Sequence, residues 1–217
     1  MNQDQLKQQV AQAALKYIAY DEIVGVGSGS TVHFFIEALA AIKHKIKGAV
    51  ASSIETERRL KAHRIPVLDL NAVNTVPVYI DGADEFNASK YLIKGGGGAL
   101  TREKIIATAA QQFVCIVDET KEKKVLGDCA VPVEVIPMAR GLVARALVQM
   151  GGIPEYRAGF VTDNGNIILD VFQLDLTNPI KMEEAINNIT GTVCNGIFAK
   201  RCADNMLVAT QRGVCER

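Results

Sequence analysis

The first 120 residues alternate between amphipathic helical patterns and short apolar runs, and this alternation restricts the possible fold more than any other feature. Helical patterns cover residues 5–17, 31–42, 54–62 and 100–111, and the β-prone runs between them cover residues 23–26, 48–51, 76–80 and 113–117. Strands that alternate with helices usually lie parallel in one sheet. The sequence therefore predicts an α/β fold, with a Rossmann-like parallel sheet covered by helices on both faces.

A different pattern begins near residue 130 and predicts a smaller α+β lid domain. Its predicted strands cover 131–136, 159–162, 167–171 and 192–195, and its predicted helices cover 139–150 and 181–187. Asn164-Gly165 separates two of these strands and favours a tight β-hairpin. The final apolar run, 206–210, is predicted to return to the first sheet. The expected division is a catalytic domain of residues 1–129 and 204–217, with residues 130–203 inserted.

The charge balance argues against nucleic acid and membrane partners. Lys plus Arg and Asp plus Glu both total 24, so the formal charge is zero and gives no general attraction to phosphate backbones or anionic lipid. No apolar run approaches the roughly 18 residues of a membrane-spanning helix, and the N-terminus lacks a signal-peptide pattern. Five scattered cysteines without a Cys-x-x-Cys pair fit reduced thiols. We expect a cytoplasmic protein.

The first loop of chemical interest covers residues 24–31, Val-Gly-Val-Gly-Ser-Gly-Ser-Thr, between a predicted strand and a predicted helix. Glycines let backbone N–H groups approach an anion, and a helix N-terminus adds further donors, so this loop favours phosphate. A dinucleotide-binding fingerprint fits poorly, because Ser30 stands where glycine is needed. A P-loop fits no better, since the loop contains no lysine. A tight turn with a serine helix cap remains the alternative.

The second loop, Asp81-Gly82-Ala83-Asp84-Glu85-Phe86-Asn87, directly follows the predicted strand 76–80. Ligands of open α/β sheets bind beyond the carboxyl ends of the strands, so Asp81 and Asp84 are expected in the ligand crevice. A single aspartate here would usually form a turn or cap a helix. Two carboxylates with a glycine between them favour a functional role.

The third loop, residues 94–104, reads Lys-Gly-Gly-Gly-Gly-Ala-Leu-Thr-Arg-Glu-Lys. Four consecutive glycines would suit a flexible linker, but Lys94 and an amphipathic helix enclose them. A backbone held close to a ligand explains the run better. Glu103 falls in the first turn of the helix, where the helix dipole also favours a carboxylate, so a capping role is its alternative.

The three histidines, His33, His44 and His63, show no metal-ligand spacing. A metal-assisted hydride shift is therefore less well supported than proton transfer by a carboxylate. No cofactor and no metal are expected.

These loops, in this order, resemble those of ribose-5-phosphate isomerase type A. The resemblance covers essentially the whole chain and includes the strings at residues 133–140 and 162–166, as well as shorter matches at 186–189, 195–196 and 198–199. Gly98 extends the glycine run at a position where relatives often carry alanine. The resemblance implies interconversion of D-ribose 5-phosphate and D-ribulose 5-phosphate in the non-oxidative pentose phosphate pathway, by a metal-free enzyme that forms a homodimer or a dimer of dimers.

The resemblance also implies roles for single residues. It makes Glu103 the base that moves a proton between C2 and C1. The chemistry of such a step also needs a group to hold the developing oxyanion, and Lys94 with the glycine N–H groups suits that role. Asp81 or Asp84 would carry the proton that opens the sugar ring, and the sequence leaves open which one. The implied substrate-binding residues are Ser28, Gly29, Ser30, Thr31, Asp81, Gly82, Ala83, Asp84, Lys94, Gly95, Gly96, Gly97 and Lys121.

Other classes of protein share similar scaffolds. A sugar-phosphate sensor of a transcription regulator would usually carry a basic DNA-binding unit, for which the first 20 residues are too few. An aminosugar-phosphate isomerase-deaminase or a coenzyme A transferase would differ in substrate, and the transferase would also need a glutamate nucleophile. The isomerase is the preferred interpretation.

Overall fold

A computed structural model describes all 217 residues. The helices are α1 (Gln3–Ala14), α2 (Ser30–Ala41), α3 (Ile54–Ala62), α4 (Leu100–Ala109), α5 (Arg140–Gln149) and α6 (Pro179–Asn187). The strands are β1 (Glu22–Val26), β2 (Ile46–Ala51), β3 (Val76–Asp81), β4 (Glu85–Phe86), β5 (Leu92–Ile93), β6 (Ala110–Asp118), β7 (Val131–Val135), β8 (Ile153–Tyr156), β9 (Ile167–Phe172), β10 (Thr192–Asn195), β11 (Ile197–Phe198), β12 (Asn205–Thr210) and β13 (Gly213–Glu216). No helix is long and apolar enough to cross a membrane.

One compact unit consists of Met1–Gly82, Arg102–Lys121 and Ala203–Arg217. Its six-stranded sheet has the order β13-β12-β6-β3-β1-β2. All neighbours are parallel except β13, which pairs antiparallel with β12. The parallel pairing of β12 with β6 confirms that the final apolar run returns to the first sheet.

Helices cover both faces of this sheet because successive strand residues point to opposite sides. Val24, Val26 and the equivalent positions of β3, β6 and β12 form one core with α1, α2 and Leu60 of α3. On the other face, a Cβ added at Gly25 would lie 2.9 Å from Ile106 of α4. The predicted fold class, a parallel-sheet α/β domain with helices on both faces plus a smaller α+β unit, is confirmed.

The second compact unit consists of Ala83–Thr101 and Glu122–Cys202. It contains a four-stranded antiparallel sheet, β10-β7-β9-β8, and a three-stranded sheet, β11-β5-β4. Alternate residues of β7 and β9 pack with Val143 and Leu147 of α5 and with Ile186 of α6. This alternation of buried side chains explains why 131–136 and 167–171 were recognisable as strands.

The compact units divide the chain differently from the predicted domains 1–129 with 204–217 and 130–203. Residues 83–101 and 122–129 group with the second unit. The reason is that β5 pairs with β4 on one side and with β11 on the other, so residues near 85, 93 and 197 form one sheet. Domain boundaries at these exact residues stay a prediction.

The hairpin prediction needs a correction. The Asn-Gly turn exists, with Gly165 at φ 80° and its N–H donating to the Thr162 carbonyl at 2.9 Å. Residues 159–162 form no strand, however, and β9 pairs instead with β8. Gly151, Gly152 and Pro154 concealed β8 from the sequence pattern, because glycine and proline interrupt a run typical of strands.

Candidate active site

The Gly-rich loop joins β1 to α2 in the first unit. Gly29 is the cap residue of α2, at φ 90°, and no side chain caps the helix. The predicted alternative of a serine cap is therefore wrong, and the first-turn N–H groups beside Ser30 and Thr31 suit an anion. Thr56 Oγ1 supports the loop by donating to the Gly27 carbonyl at 2.7 Å.

Asp81 ends β3 and is fully buried. Its Oδ1 accepts the backbone N–H groups of Ser28 at 3.0 Å and Gly82 at 2.7 Å, and its Oδ2 accepts the Tyr79 hydroxyl at 2.5 Å. A buried carboxylate needs such donors to replace water. Asp81 therefore anchors the Gly-rich loop to the end of β3.

Gly27 allows this close packing. A Cβ at this position would lie 1.9 Å from Asp81 Oδ1 and 2.5 Å from Asp81 Cβ. Tyr79 supports the carboxylate from the same strand. Burial, followed by the negative charges of Asp81 and Glu103, raises the pKa of Tyr79 well above its usual value. Tyr79 consequently remains a hydrogen-bond donor even at pH 10, where an ordinary tyrosine is half ionised.

Glu103 lies in the first turn of α4 and is only 3% exposed. The Ser28 hydroxyl donates to its Oε1, so the predicted base and the predicted phosphate loop are in direct contact within the first unit. A nearly water-free carboxylate held by a neutral donor can act as a general base. The structure thus brings Ser28, Asp81 and Glu103 together.

Asp84 and Lys94 belong to the second unit, at one end of the three-stranded sheet. Glu85 pairs with Ile93, so the residues just outside this pair, Asp84 and Lys94, are neighbours in register. The Asp84 N–H donates to the Ile93 carbonyl at 2.8 Å. Lys94 is 3% exposed, and its Nζ lies 5.5 Å from the centre of the Phe198 ring, within the range of a cation–π contact.

The glycine run that follows Lys94 is an ordered turn. The Gly98 N–H donates to the Gly95 carbonyl at 2.9 Å, and both residues have positive φ, 102° at Gly95 and 85° at Gly98. The Gly96 N–H donates to Asp84 Oδ2 at 2.8 Å. Glycine is required because L-residues with side chains rarely adopt this conformation. We call residues 95–98 the glycine turn.

Lys121 lies at the end of a short 3-10 helix, Glu119–Lys121, directly after β6. Since β6 lies next to β3 and parallel to it, Lys121 lies at the same edge of the sheet as Asp81, the last residue of β3. Gly82 and Ala83 continue the chain from Asp81 towards Asp84. No group of three His, Cys, Asp or Glu side chains in the chain has the geometry to hold a metal ion.

The model of the family described as Ribose 5-phosphate isomerase A (phosphoriboisomerase A) matches residues 48–213. The chain belongs to this family. Ribose-5-phosphate isomerase A of Legionella pneumophila strain Corby is 61% identical over 210 residues, which cover 97% of each chain. The chain is therefore an enzyme of the isomerase class, as the sequence predicted.

Solved structures of the ribose 5-phosphate isomerase A family have the same fold. The enzyme from Neisseria gonorrhoeae is 47% identical, with a TM-score of 0.97 over 99% of this chain and 96% of that one. A D-ribose-5-phosphate isomerase in complex with phospho-erythronic acid is 38% identical, with a TM-score of 0.96 over 100% of this chain and 99% of that one.

Sequence reasoning missed several residues that shape these sites. Tyr79 was detectable, since it lies two residues before Asp81 and thus on the same face of β3. The required absence of a side chain at Gly27 and the approach of Phe198 to Lys94 depend on strands distant in sequence. No local pattern indicates them.

Proposed function

We propose that this chain interconverts D-ribose 5-phosphate and D-ribulose 5-phosphate through an enediolate, without a metal, in the non-oxidative pentose phosphate pathway. The observation that carries the proposal is the buried Glu103 carboxylate, in contact with Ser28 of a Gly-rich loop suited to phosphate. Family membership supports the substrate. Phospho-erythronic acid, bound by a relative, combines a phosphate with a carboxylate whose planar, anionic O–C–O group is similar to an enediolate.

In the proposed reaction, Glu103 removes the C2 proton of the open-chain aldose. The electron pair of that C–H bond forms the C1–C2 double bond, and negative charge develops on O1. Glu103 then returns the proton to C1, while the proton of O2 passes to O1, so that O2 becomes the ketone oxygen and O1 the C1 hydroxyl. No oxidant or reductant is consumed. General base catalysis of this kind typically contributes about 10²–10⁴-fold.

The remaining roles are proposals for the same reaction. Lys94 and the N–H groups of Gly95 and Gly97 stabilise the oxyanion, and Ser28, Ser30, Thr31 and Lys121 hold the phosphate. Asp81 or Asp84 carries the ring-opening proton. The two differ in environment, because Asp81 already accepts three hydrogen bonds and is fully buried, whereas Asp84 is only half-buried.

The test of the base is Glu103→Gln, which keeps the shape of the side chain and removes its basicity. We expect turnover in chelator-treated buffer to fall at least about 10²-fold, with the Kd for phospho-erythronic acid nearly unchanged. Glu37→Gln, at an exposed position of α2, is the control and should retain full activity. Near-normal turnover of Glu103→Gln would contradict the assignment, and ligand binding without turnover by the wild type would favour a sensor.

The enediolate is tested separately by running the reaction in D2O. A proton carried by Glu103 can exchange with solvent, so deuterium should appear at C1 of ribulose 5-phosphate. A direct hydride shift would leave the product without solvent deuterium. NMR of the product distinguishes the two.

The ring-opening residue is tested by comparing Asp81→Asn with Asp84→Asn in the reverse direction. Semicarbazide traps free aldehyde. The variant that lacks the ring-closing group should release more trappable aldehyde than the wild type, and the other should not.

A homodimer in the cytoplasm remains part of the proposal, and sedimentation velocity tests the dimer.

A further inference from the structure

The connection between β8 and β9, residues 157–166, contacts the glycine turn within the second unit, and we call it the strap. At its start, Arg157 Nη1 donates to the Gly96 carbonyl at 3.1 Å. The same guanidinium forms two hydrogen bonds with Asp170, at 2.8 Å and 2.5 Å. A two-point Arg–carboxylate contact fixes the orientation of the guanidinium. Arg157 is therefore held in place to support Gly96.

Phe160 forms the second contact of the strap. A Cβ at Gly98 would lie 2.2 Å from Phe160 Cζ and 2.5 Å from its Cε1, so the ring occupies the space next to the bare Cα. The Arg157 guanidinium lies 5.3 Å from the centre of the same ring. Phe160 also packs with buried Leu100 and Ile168. The turn is thus held at Gly96 by Arg157 and at Gly98 by Phe160.

The far end of the strap is anchored on Glu134 of β7, which is fully buried. Glu134 accepts hydrogen bonds from the side chains of Thr162, Asn164 and Asn166. It also accepts one from Thr101, which follows the glycine turn at the start of α4. A buried carboxylate satisfied by four donors is costly to disturb, so the strap has a rigid base.

We infer that Arg157 and Phe160 are positioning residues for the proposed isomerisation: they hold the glycine turn in the conformation that presents the N–H groups of Gly95 and Gly97 to the oxyanion, since those of Gly96 and Gly98 bond within the second unit. The inference rests on the proposed function. It explains why glycine at 98 accompanies phenylalanine at 160 in this chain, since a larger residue at 98 would meet the ring. A misplacement of about 1 Å at a reacting centre can cost about 10²-fold in rate.

The test compares Arg157→Gln and Phe160→Leu with Arg212→Gln, whose parent residue is exposed in the turn between β12 and β13. Because the oxyanion develops only in the transition state, kcat should fall about 10–100-fold, while KM changes less than about 3-fold. Arg157→Lys keeps the charge and should recover part of the loss. Hydrogen exchange at the Gly98 amide, measured by mass spectrometry on the peptide covering 95–98, should accelerate at least about 10-fold in both strap variants.

The outcomes are distinguishable. If both strap variants match Arg212→Gln in kcat and in exchange, the inference is overturned. The inference would also be overturned if kcat fell only in variants whose melting temperature fell as well and the peptide covering 95–98 exchanged no faster. That result would indicate a general structural role. If the wild type shows no turnover, the proposed function fails, and the exchange measurement alone then decides whether the strap orders the turn. Phe160→Leu leaves the Arg157–Asp170 pair intact, so one variant should remain folded if the other does not.

Discussion

At the scale of single residues, the candidate site depends on how one buried carboxylate is satisfied. Asp81 accepts hydrogen bonds from two backbone N–H groups and from the Tyr79 hydroxyl. It also packs so closely against Gly27 that a Cβ would not fit there. A buried polar group that loses a partner costs more free energy than the hydrogen bond itself contributes. Small changes around Asp81 should therefore have large effects.

Tyr79→Phe removes the hydroxyl and leaves the size of the side chain nearly unchanged. Because Asp81 Oδ2 loses a donor in a buried site, we expect the free energy of unfolding to fall by about 1–3 kcal/mol. Urea unfolding measures this change. Tyr20→Phe, at a position 78% exposed, is the control and should change stability by less than about 0.5 kcal/mol. Equal effects of both substitutions would refute the anchoring role of Tyr79.

Gly27→Ala should be destabilising for a different reason. The added Cβ would overlap Asp81 Oδ1, so either the loop or the carboxylate must move, at a cost of about 1–3 kcal/mol. Gly141→Ala, inside α5, is the matched control. Its Cβ would lie 3.4 Å from the end of Arg145, and we expect a gain of roughly 0.5–1 kcal/mol from the better helix former. Thermal unfolding of the two variants should thus shift in opposite directions.

At the scale of elements, the edge strand β13 is tied to the segment that follows α1. Tyr17 and Lys16, in the 3-10 helix Leu15–Tyr17, both contact the Glu216 carboxylate of β13. Partial burial, together with the hydrogen bond to Glu216 and its charge, raises the pKa of Tyr17 to about 12. We call the contact of Lys16 and Tyr17 with Glu216 the tether. It depends on a protonated Tyr17 phenol.

This raised pKa predicts how stability varies with pH. The unfolded tyrosine has a pKa near 10, so between pH 10 and pH 12 the folded state binds more protons than the unfolded state. The contribution of Tyr17 is thus fully present below pH 10 and is lost as pH rises towards 12. The stability difference between wild type and Tyr17→Phe should shrink over this window, as measured by urea unfolding at each pH. A difference that stays constant from pH 9 to pH 12 would contradict the tether.

At the scale of the whole molecule, the last residues of the chain complete the sheet that begins near the N-terminus. β12 lies between β6 and β13, and Met206, Leu207 and Val208 are buried. Each such side chain contributes about 1.5–3 kcal/mol when buried. Their sum is comparable with the total stability of a typical protein, about 5–15 kcal/mol.

A chain that ends at residue 202 lacks β12 and β13, and we expect it to lose cooperative unfolding. A chain that ends at residue 211 lacks only the edge strand β13, and it should fold with a lower melting temperature. Calorimetry of both distinguishes a required inner strand from a dispensable edge. If the 202-residue chain unfolds cooperatively at the wild-type temperature, β12 is not needed for the core.

The periodicity of the sequence determined the parallel sheet, the helices around it and the loops at the ends of its strands. These features depend on local patterns, because burial of one face repeats every two residues in a strand and about every 3.6 in a helix. The motifs also indicated Ser28, Asp81 and Glu103, which the structure places in contact.

Only the tertiary structure decided the three-stranded sheet, the pairing of β8 with β9, the packing of Tyr79 on Asp81 and the strap over the glycine turn. The two-residue strands β4, β5 and β11 are too short for a periodic pattern, and Leu92 pairs with Phe198 from a distant part of the chain. Four glycines in a row specify no conformation by themselves. Their order comes from Asp84, Arg157 and Phe160, which approach them only after the chain has folded.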